Sequence, residues 1–460
     1  MLNKGNIMKN IQFKPKYEVE AGSVFHELRK NMLVDGFEFV LDLRNSTNPY
    51  FTDAITGRKF KDFFTCFASL PLGLNHPKVL EKDFLEYLTE VAINKPSNSD
   101  LYTSEMATFV RTFRKIAAPA GFEHYFFISG GALAVENAMK SAFDWKVRKN
   151  FRKGYREEKG QQVIHFRQAF HGRSGYTMSL TNTETVKTMY YPKFKWPRIT
   201  NPKIEFPMDE KNLAKVEKLE DISIYEIKQA FLNNPDDIAA IIIEPIQGEG
   251  GDNHFRPEFL RKLKELSIEN DALLIFDEVQ TGVGITGTMW AYEQLDVVPD
   301  ILVFGKKMQI CGIVAGSRID EVPDNVFRVS SRINSTWGGS LVDMVRAGRY
   351  LEIIEEDNLL TNVKTTGKVL QSKISELVNK HPNYLSNARG RGMFCAFDVL
   401  NSDLRNKFKQ NCFDEGLLIL ACGERSIRFR PPLNLDAGHL DEGFSIIESA
   451  LEHTFAKTDV

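Results

Sequence analysis

Apolar residues fall in short unbroken runs along this chain. Residues 272–276 (ALLIF) and 301–304 (ILVF) are bounded by polar, turn-forming residues, which is how strands buried on both faces of a parallel sheet read. An aromatic run at 125–128 (YFFI) enters Ser129-Gly130-Gly131-Ala132 and then the helical pattern LAVENAMKSAFDW. Strands alternating with helical patterns from about 81 to 345 predict an α/β fold, a doubly wound and mainly parallel sheet. Ahead of it, 37–43 and 58–68 predict short strands, and Pro71, Gly73 and Pro77 a loop into the larger unit. Behind it, LEIIEEDNLLTNVKTTGKVLQSKISELVNK predicts helix, MFCAFDVL and LLILACG predict strands, and FSIIESALEHTF a closing helix. The expected division is 1–78 as an N-terminal segment joining a small domain, 79–345 as a large domain, and 346–460 as a smaller α/β domain. The densely charged stretch 146–161 is expected to be exposed, and KNLAKVEKLEDISIYEIKQAF to form an amphipathic surface segment.

Asp277 and Lys306 sit just past the carboxyl ends of the two central runs, the edge where open α/β sheets bind ligands. A helical right-handed crossover between them places both side chains in one crevice. Pyridoxal phosphate needs this combination: a lysine to hold its aldehyde, and an acid to keep the ring nitrogen protonated so that the ring accepts carbanion electrons. The competing reading makes Asp277 a helix cap and Lys306-Lys307 a solvated charge pair. Ser129-Gly130-Gly131-Ala132 lets backbone amides approach an anion at a helix start, or is an ordinary glycine turn. No GKS or GKT follows and the spacing is not GxGxxG, so a single phosphate suits it better than a nucleotide.

Composition narrows the compartment more than the chemistry. A chain of 460 residues, 42% hydrophobic and 26% charged with net charge −2, describes a soluble globular protein of two or three domains without a nucleic-acid surface. Cys66, Cys311, Cys395, Cys412 and Cys422 are odd in number and lack C-x-x-C spacing, so no disulfide framework and no metal site is expected. MLNKGNIMKNIQF has no apolar stretch long enough for a signal peptide, and no run spans a membrane, so a reducing, cytoplasmic setting is expected.

Over nearly its whole length the chain resembles the class III aminotransferases, fold type I pyridoxal phosphate enzymes. SGGALAVENAMK is similar to their phosphate-binding helix start, EPIQGEGG to the loop after a central strand, DEVQTGVGITG to the segment bearing the ring-nitrogen acid, PDILVFGK to the strand ending in the cofactor lysine, and STWGGS to a segment lent by a neighbouring subunit. GLNHP at Gly73 departs from the GHNHP of many members. The resemblance implies a large domain with a seven-stranded type of sheet and a smaller α/β domain built from both chain ends. It implies Lys306 as the Schiff-base lysine, Asp277 on the ring nitrogen, Gln280 near the ring hydroxyl, and Gly131 and Ala132 on the phosphate. Phe170 would stack on the ring, and Thr336 would reach the phosphate held by the other subunit of a homodimer.

AFHGRSGYTMSLTNT, FGKKMQICGIVAG and SRINSTWGGSLVDMVRAGRY resemble the members that move the terminal amine of L-lysine to 2-oxoglutarate, giving 2-aminoadipate 6-semialdehyde and L-glutamate in ping-pong fashion. One site must then accept an amine on an alkyl chain and a dicarboxylate in turn. A bare buried arginine costs about 3–5 kcal/mol by analogy with broken buried pairs, so a movable counter-charge is expected. Glu244 and Arg428 match that switch pair, Arg173 the clamp on the lysine α-carboxylate, and Arg430 a packing role, while Glu249 and Asp252 read as a solvated or entrance loop. Other ω-amino donors, ornithine or 4-aminobutyrate, a fixed Glu244–Arg428 ion pair, and a non-catalytic α/β binding protein remain open at this point.

Overall fold

The computed structural model describes residues 13–456. Residues 1–12, most of the stretch read above for a targeting signal, and 457–460 lie outside them. Seven strands form the central sheet: β1 (Phe122–Ile128), β2 (Gln162–Phe166), β3 (Arg198–Ile199), β4 (Ile238–Ile243), β5 (Leu273–Asp277), β6 (Ile301–Phe304) and β7 (Cys311–Gly316). Their order is β1-β7-β6-β5-β4-β2-β3. Only β7 runs against its neighbours; β6, β5, β4, β2 and β3 pair in parallel. Every carboxyl end except that of β7 therefore emerges at one edge.

The unbroken apolar runs follow from cover on both faces. Along β4, Ile241 and Ile243 enter one core with Leu274, Phe276, Leu302 and Phe304. Ala240 and Ile242 point the other way, into a second core with Ile275 and Val303, as the two-residue period of a strand requires. That second core is closed by α1 (Gly131–Arg152), whose Ala134, Val135, Ala138, Met139, Ala142 and Trp145 recur at helical spacing.

Three sequence expectations change. The charged stretch from 146 is not simply exposed: α1 runs on to Arg152, and Lys146, one turn beyond Ala142, falls on its buried stripe. Its ammonium donates to the carbonyls of Asn270 (3.3 Å) and Asp271 (2.8 Å) at the end of the helix Pro257–Glu269, and burial pulls its pKa down to about 8. The connection from Asp277 to Lys306 carries no α-helix, only turns and a short 3₁₀ segment, Ala291–Gln294. Its buried backbone is satisfied instead by Glu278, which accepts from the amides of Ala291 (2.7 Å) and Tyr292 (2.9 Å). Residues 37–43 make one isolated bridge, Leu41 to Asp53, because Phe37 and Phe39 are drawn into an aromatic cluster with Phe60, Phe64 and Phe413 rather than into a ladder.

The smaller α/β unit draws on both chain ends. Tyr50–Thr52 and Lys59–Asp62 join Leu417–Leu418 in a three-stranded sheet. Leu385–Arg391, Phe394–Val399, Ser426–Phe429 and Leu420–Cys422 form an antiparallel sheet beside it. The helical pattern before them is two helices, Leu341–Glu356 and Leu359–Lys380, separated at Asn358, whose φ of 51° is left-handed. Among the described residues no helix is long and apolar enough to cross a membrane.

Asp252, in the loop after β4, meets Arg430, just past Ser426–Phe429, with both side chains shut off from solvent. The guanidinium donates to both oxygens (2.5 and 2.9 Å) and lies 3.4 Å from the Phe394 ring centre. Breaking such a pair leaves a bare buried charge. Asp252→Asn is expected to cost about 3 kcal/mol in thermal or urea unfolding, and a loss near zero would show the pair to be idle.

Candidate active site

At the carboxyl edge of the sheet lies a cavity of about 570 Å³, within the range of small-molecule sites. Eight of the ten site residues expected from sequence line it: Gly131, Ala132, Phe170, Arg173, Glu244, Asp277, Gln280 and Lys306. A larger cavity of about 830 Å³ lies on the outer flank of α1 between Asp144 and Trp196 and contains none of them. Convergent ionisable groups, not volume, mark the smaller one as the site.

Asp277 closes β5, level with Val303 of β6, and Lys306 follows two residues after β6 ends. The Asp277 carboxylate is held on two sides, Oδ2 at 2.8 Å from His171 Nδ1 and Oδ1 accepting from the Val279 amide at 3.1 Å. A carboxylate only accepts, so Nδ1 is the donor. Lys306 has no hydrogen-bond partner for its amine among the described residues. Burial, and then the cations Arg428 and Arg430, bring its pKa down to about 8 against the pull of Glu249 and Asp277. Its neighbour is different: Lys307 is buried and donates to the Gln280 carbonyl at 2.6 Å. Geometry thus separates two lysines that the sequence alone leaves equivalent.

The helix α1 starts at the cavity with no side chain capping it, so its first amides and partial positive charge face inward past Gly131 and Ala132. Gly172 keeps this cradle open: a Cβ there would stand 2.4 Å from that of Ala132, at a φ of +115°. A segment expected to be strand forms the opposite lip: of 58–68 only Lys59–Asp62 pairs in a sheet, and the chain then reverses. Thr65, Cys66, Phe67 and Ala68 all have left-handed φ, 41° to 64°, in one reversed turn. The turn is fixed from several directions, by Asp62 Oδ1 accepting from the Phe64 and Thr65 amides, by Thr65 Oγ1 donating to the Arg430 carbonyl, and by Gln309 donating to the Ser69 carbonyl. Such strain persists only where its surroundings enforce it, and here it sets Ser69 and Leu70 in the cavity wall.

The arginines correct the expected switch pair. Glu244 does not meet Arg428. Its two oxygens accept from the amides of Phe170 and Gly248, both at 3.0 Å, and burial, with Asp277 nearby, pushes its pKa up to about 7. Glu244 follows β4 directly, so its side chain turns back on its own loop. Glu249, five residues on, lies against the strand Ser426–Phe429 and receives Arg428 Nη2 at 2.8 Å. Burial raises the Glu249 pKa, but Arg428 and Lys187 outweigh it and hold it down at about 2. Glu249 and Asp252 are therefore both charge partners, not a solvated loop. Gln280 Oε1 faces Arg430 Nη2 (2.8 Å) and Nε (3.1 Å), with Arg428 Nη1 at 3.4 Å. Gly248 leaves room for it, since a Cβ would come within 2.5 Å of the amide. Arg173 is exposed at the cavity wall with no ion pair or hydrogen bond among the described residues. Thr336 is exposed and outside its own chain's cavity, its carbonyl accepting from Ser97 Oγ at 2.5 Å.

An amine without a partner among the described residues, a fixed acid, an uncapped helix start and an aromatic wall share this cavity, which is the set of groups that pyridoxal phosphate chemistry calls on. The chain belongs to the class III aminotransferases, matching that family over residues 34–451. It is 50% identical over 428 residues to the L-lysine-epsilon aminotransferase of Mycobacterium tuberculosis, covering 93% of this chain and 95% of the relative. It is 47% identical to the enzyme of that name from Streptomyces clavuligerus, covering 94% and 95%. The solved lysine aminotransferase from M. tuberculosis in the internal aldimine form superposes with a TM-score of 0.93 at 48% identity, covering 95% of this chain and all of that one. Pyridoxal 5'-phosphate is the cofactor of the class, and the residues present fit it: Lys306 to hold the aldehyde, Asp277 the ring nitrogen, and the start of α1 the phosphate.

Folded, the Lys306 amine titrates at about 8, against its ordinary 10.5. Freed of cofactor, the folded chain holds fewer protons than the unfolded one between those values, so its stability rises with pH across that window, and the penalty is complete below it. Lys306→Met is expected to stabilise the cofactor-free protein by about 2–3 kcal/mol at pH 7, and by progressively less toward pH 10.5. Melting curves of both forms across that range check this, and an equal gain at every pH would contradict it.

Proposed function

We propose that the chain transfers the ε-amino group of L-lysine to 2-oxoglutarate, releasing 2-aminoadipate 6-semialdehyde and L-glutamate in a ping-pong cycle. The observation that carries this reading is the unequal state of two arginines: Arg173 stands unpaired on the wall, whereas Arg428 is buried and neutralised by Glu249. Lysine offers one carboxylate, and Arg173 answers it. Glutamate and 2-oxoglutarate offer two, and the second requires Arg428 to exchange Glu249 for substrate, a planar two-pronged match. The names of the similar enzymes support the same donor.

Pyridoxal phosphate, when bound, supplies an aldehyde for amine exchange and a ring that accepts the electrons left at the substrate carbon. The chain supplies the rest. The Lys306 amine, held near neutrality in its titration, moves a proton to and from the carbon bearing the amine. Asp277, fixed by His171 and the Val279 amide, keeps its charge pointed at one place and holds a proton opposite it. Phe170 is positioned through its own backbone, whose amide donates to Glu244. The working unit in this reading is a homodimer, with Thr336 serving the partner's cavity; its support is that Thr336 lies exposed and outside its own.

Absorbance spectra of the purified enzyme before and after lysine, ornithine or 4-aminobutyrate test the donor, with the cyclised product identified. Conversion by lysine alone among the three is expected, and preference for either of the others would reject the reading. Glu249→Gln leaves Arg428 bare when the alkyl amine arrives and is expected to slow the lysine half-reaction about 10- to 100-fold relative to the glutamate one, a smaller effect than for a fully buried pair because Glu249 is partly exposed. Arg428→Gln is expected to bias the two in the opposite direction. Equal losses in both variants would make the pair a fixed structural one.

A further inference from the structure

The switch carboxylate has two cations, not one. Glu249 Oε2 receives Arg428 at 2.8 Å, and Oε1 receives Lys187 Nζ at 2.6 Å. Lys187 closes the short 3₁₀ segment Thr185–Lys187 and is also bridged to the more exposed Glu184 at 2.8 Å. Its ammonium stands 5.7 Å from the Phe170 ring centre. Burial lowers its pKa, but Glu184 and Glu249 outweigh this and raise it, so it stays charged near neutrality. The result is a row of alternating charges, Glu184, Lys187, Glu249, Arg428, running from the surface to the buried arginine.

When Arg428 turns to a substrate carboxylate, Glu249 loses one of its two partners. Even a partly exposed carboxylate left alone there is unfavourable, and its attraction back to Arg428 then competes with substrate. A second cation on the other oxygen removes most of that penalty, and needs no large movement because the contact already exists. With lysine bound, Glu249 serves both cations and Glu184 balances the extra positive charge. Resting on the reading above, we propose that Lys187 is a positioning residue for the switch: the cation that keeps Glu249 while Arg428 grips the dicarboxylate, and so sets how readily the enzyme passes from lysine to 2-oxoglutarate. Its rival is a purely structural role, pinning the loop that carries Thr185–Lys187.

The test uses the full-length holoenzyme with Lys187→Met and Lys187→Arg. One readout is the binding of glutarate, a dicarboxylate with no amine or oxo group to react, by calorimetry. The other is the ratio of kcat/KM for the glutamate and lysine half-reactions. Lys187→Met is expected to weaken glutarate at least about 10-fold and to shift that ratio against glutamate by a similar factor, about 1.4 kcal/mol. Lys187→Arg, which keeps the charge, is expected to restore both to within about 3-fold. Should the Met variant not fold, Lys187→Gln carries the same expectation. Unweakened glutarate binding, equal loss of the two half-reactions, or failure of arginine to restore them would overturn the proposal while leaving the donor reading intact. Failure of the unaltered enzyme to react with lysine would instead strike that reading.

Discussion

A charge taken out of water must be answered by another charge or by aligned donors, and the carboxyl edge of the sheet is organised around that demand. Arg430 is answered by Asp252, Arg428 by Glu249, Lys307 by the Gln280 carbonyl, and Asp277 by His171 and a backbone amide. Two cationic groups at the cavity have no such answer among the described residues, Lys306 and Arg173. In the proposed reaction they are the two groups that must stay open, one to cofactor and one to substrate. Folding pairs the other four groups with side chains or with the backbone and leaves Lys306 and Arg173 free at the cavity.

The sheet makes this arrangement economical. Six strands share a direction, so loops from β1, β2, β4, β5 and β6 all reach the same crevice, bringing Gly131, Phe170, Glu244, Asp277 and Lys306 together from positions up to 175 residues apart. The one reversed strand, β7, begins at that edge and brings Cys311 to the wall. Part of the folding energy is spent on local strain there. Lys306 has a φ of 47°, Gln309 of 66°, and the turn Thr65–Ala68 is left-handed throughout. Non-glycine residues hold such conformations only where neighbouring contacts enforce them.

Much of this was legible in the chain because hydrophobic runs encode burial on both faces, and because Asp277 and Lys306 close two such runs. What was not legible is instructive. Periodicity cannot tell Lys306 from Lys307; the resemblance picks the first, and the structure supplies the reason, since Lys307 is used up on a backbone carbonyl. Nor could it choose between Glu244 and Glu249, two acids in one loop whose side chains diverge only after the loop folds against Ser426–Phe429. The His171–Asp277 contact joins residues 106 apart, and a left-handed turn without glycine leaves no mark in composition. The breakdown of the expected strand at 37–43 belongs with these: aromatic packing with the distant Phe413 outweighed local strand preference.

The Asp252–Arg430 clasp has a mechanical corollary. It sits at the seam between the two units of the molecule, and opening that seam like a jaw would strip both ions of their partners at once. Side-chain swings and loop shifts around the clasp leave that pairing whole, whereas any motion that parts the loop after β4 from the strand Ser426–Phe429 must first break it.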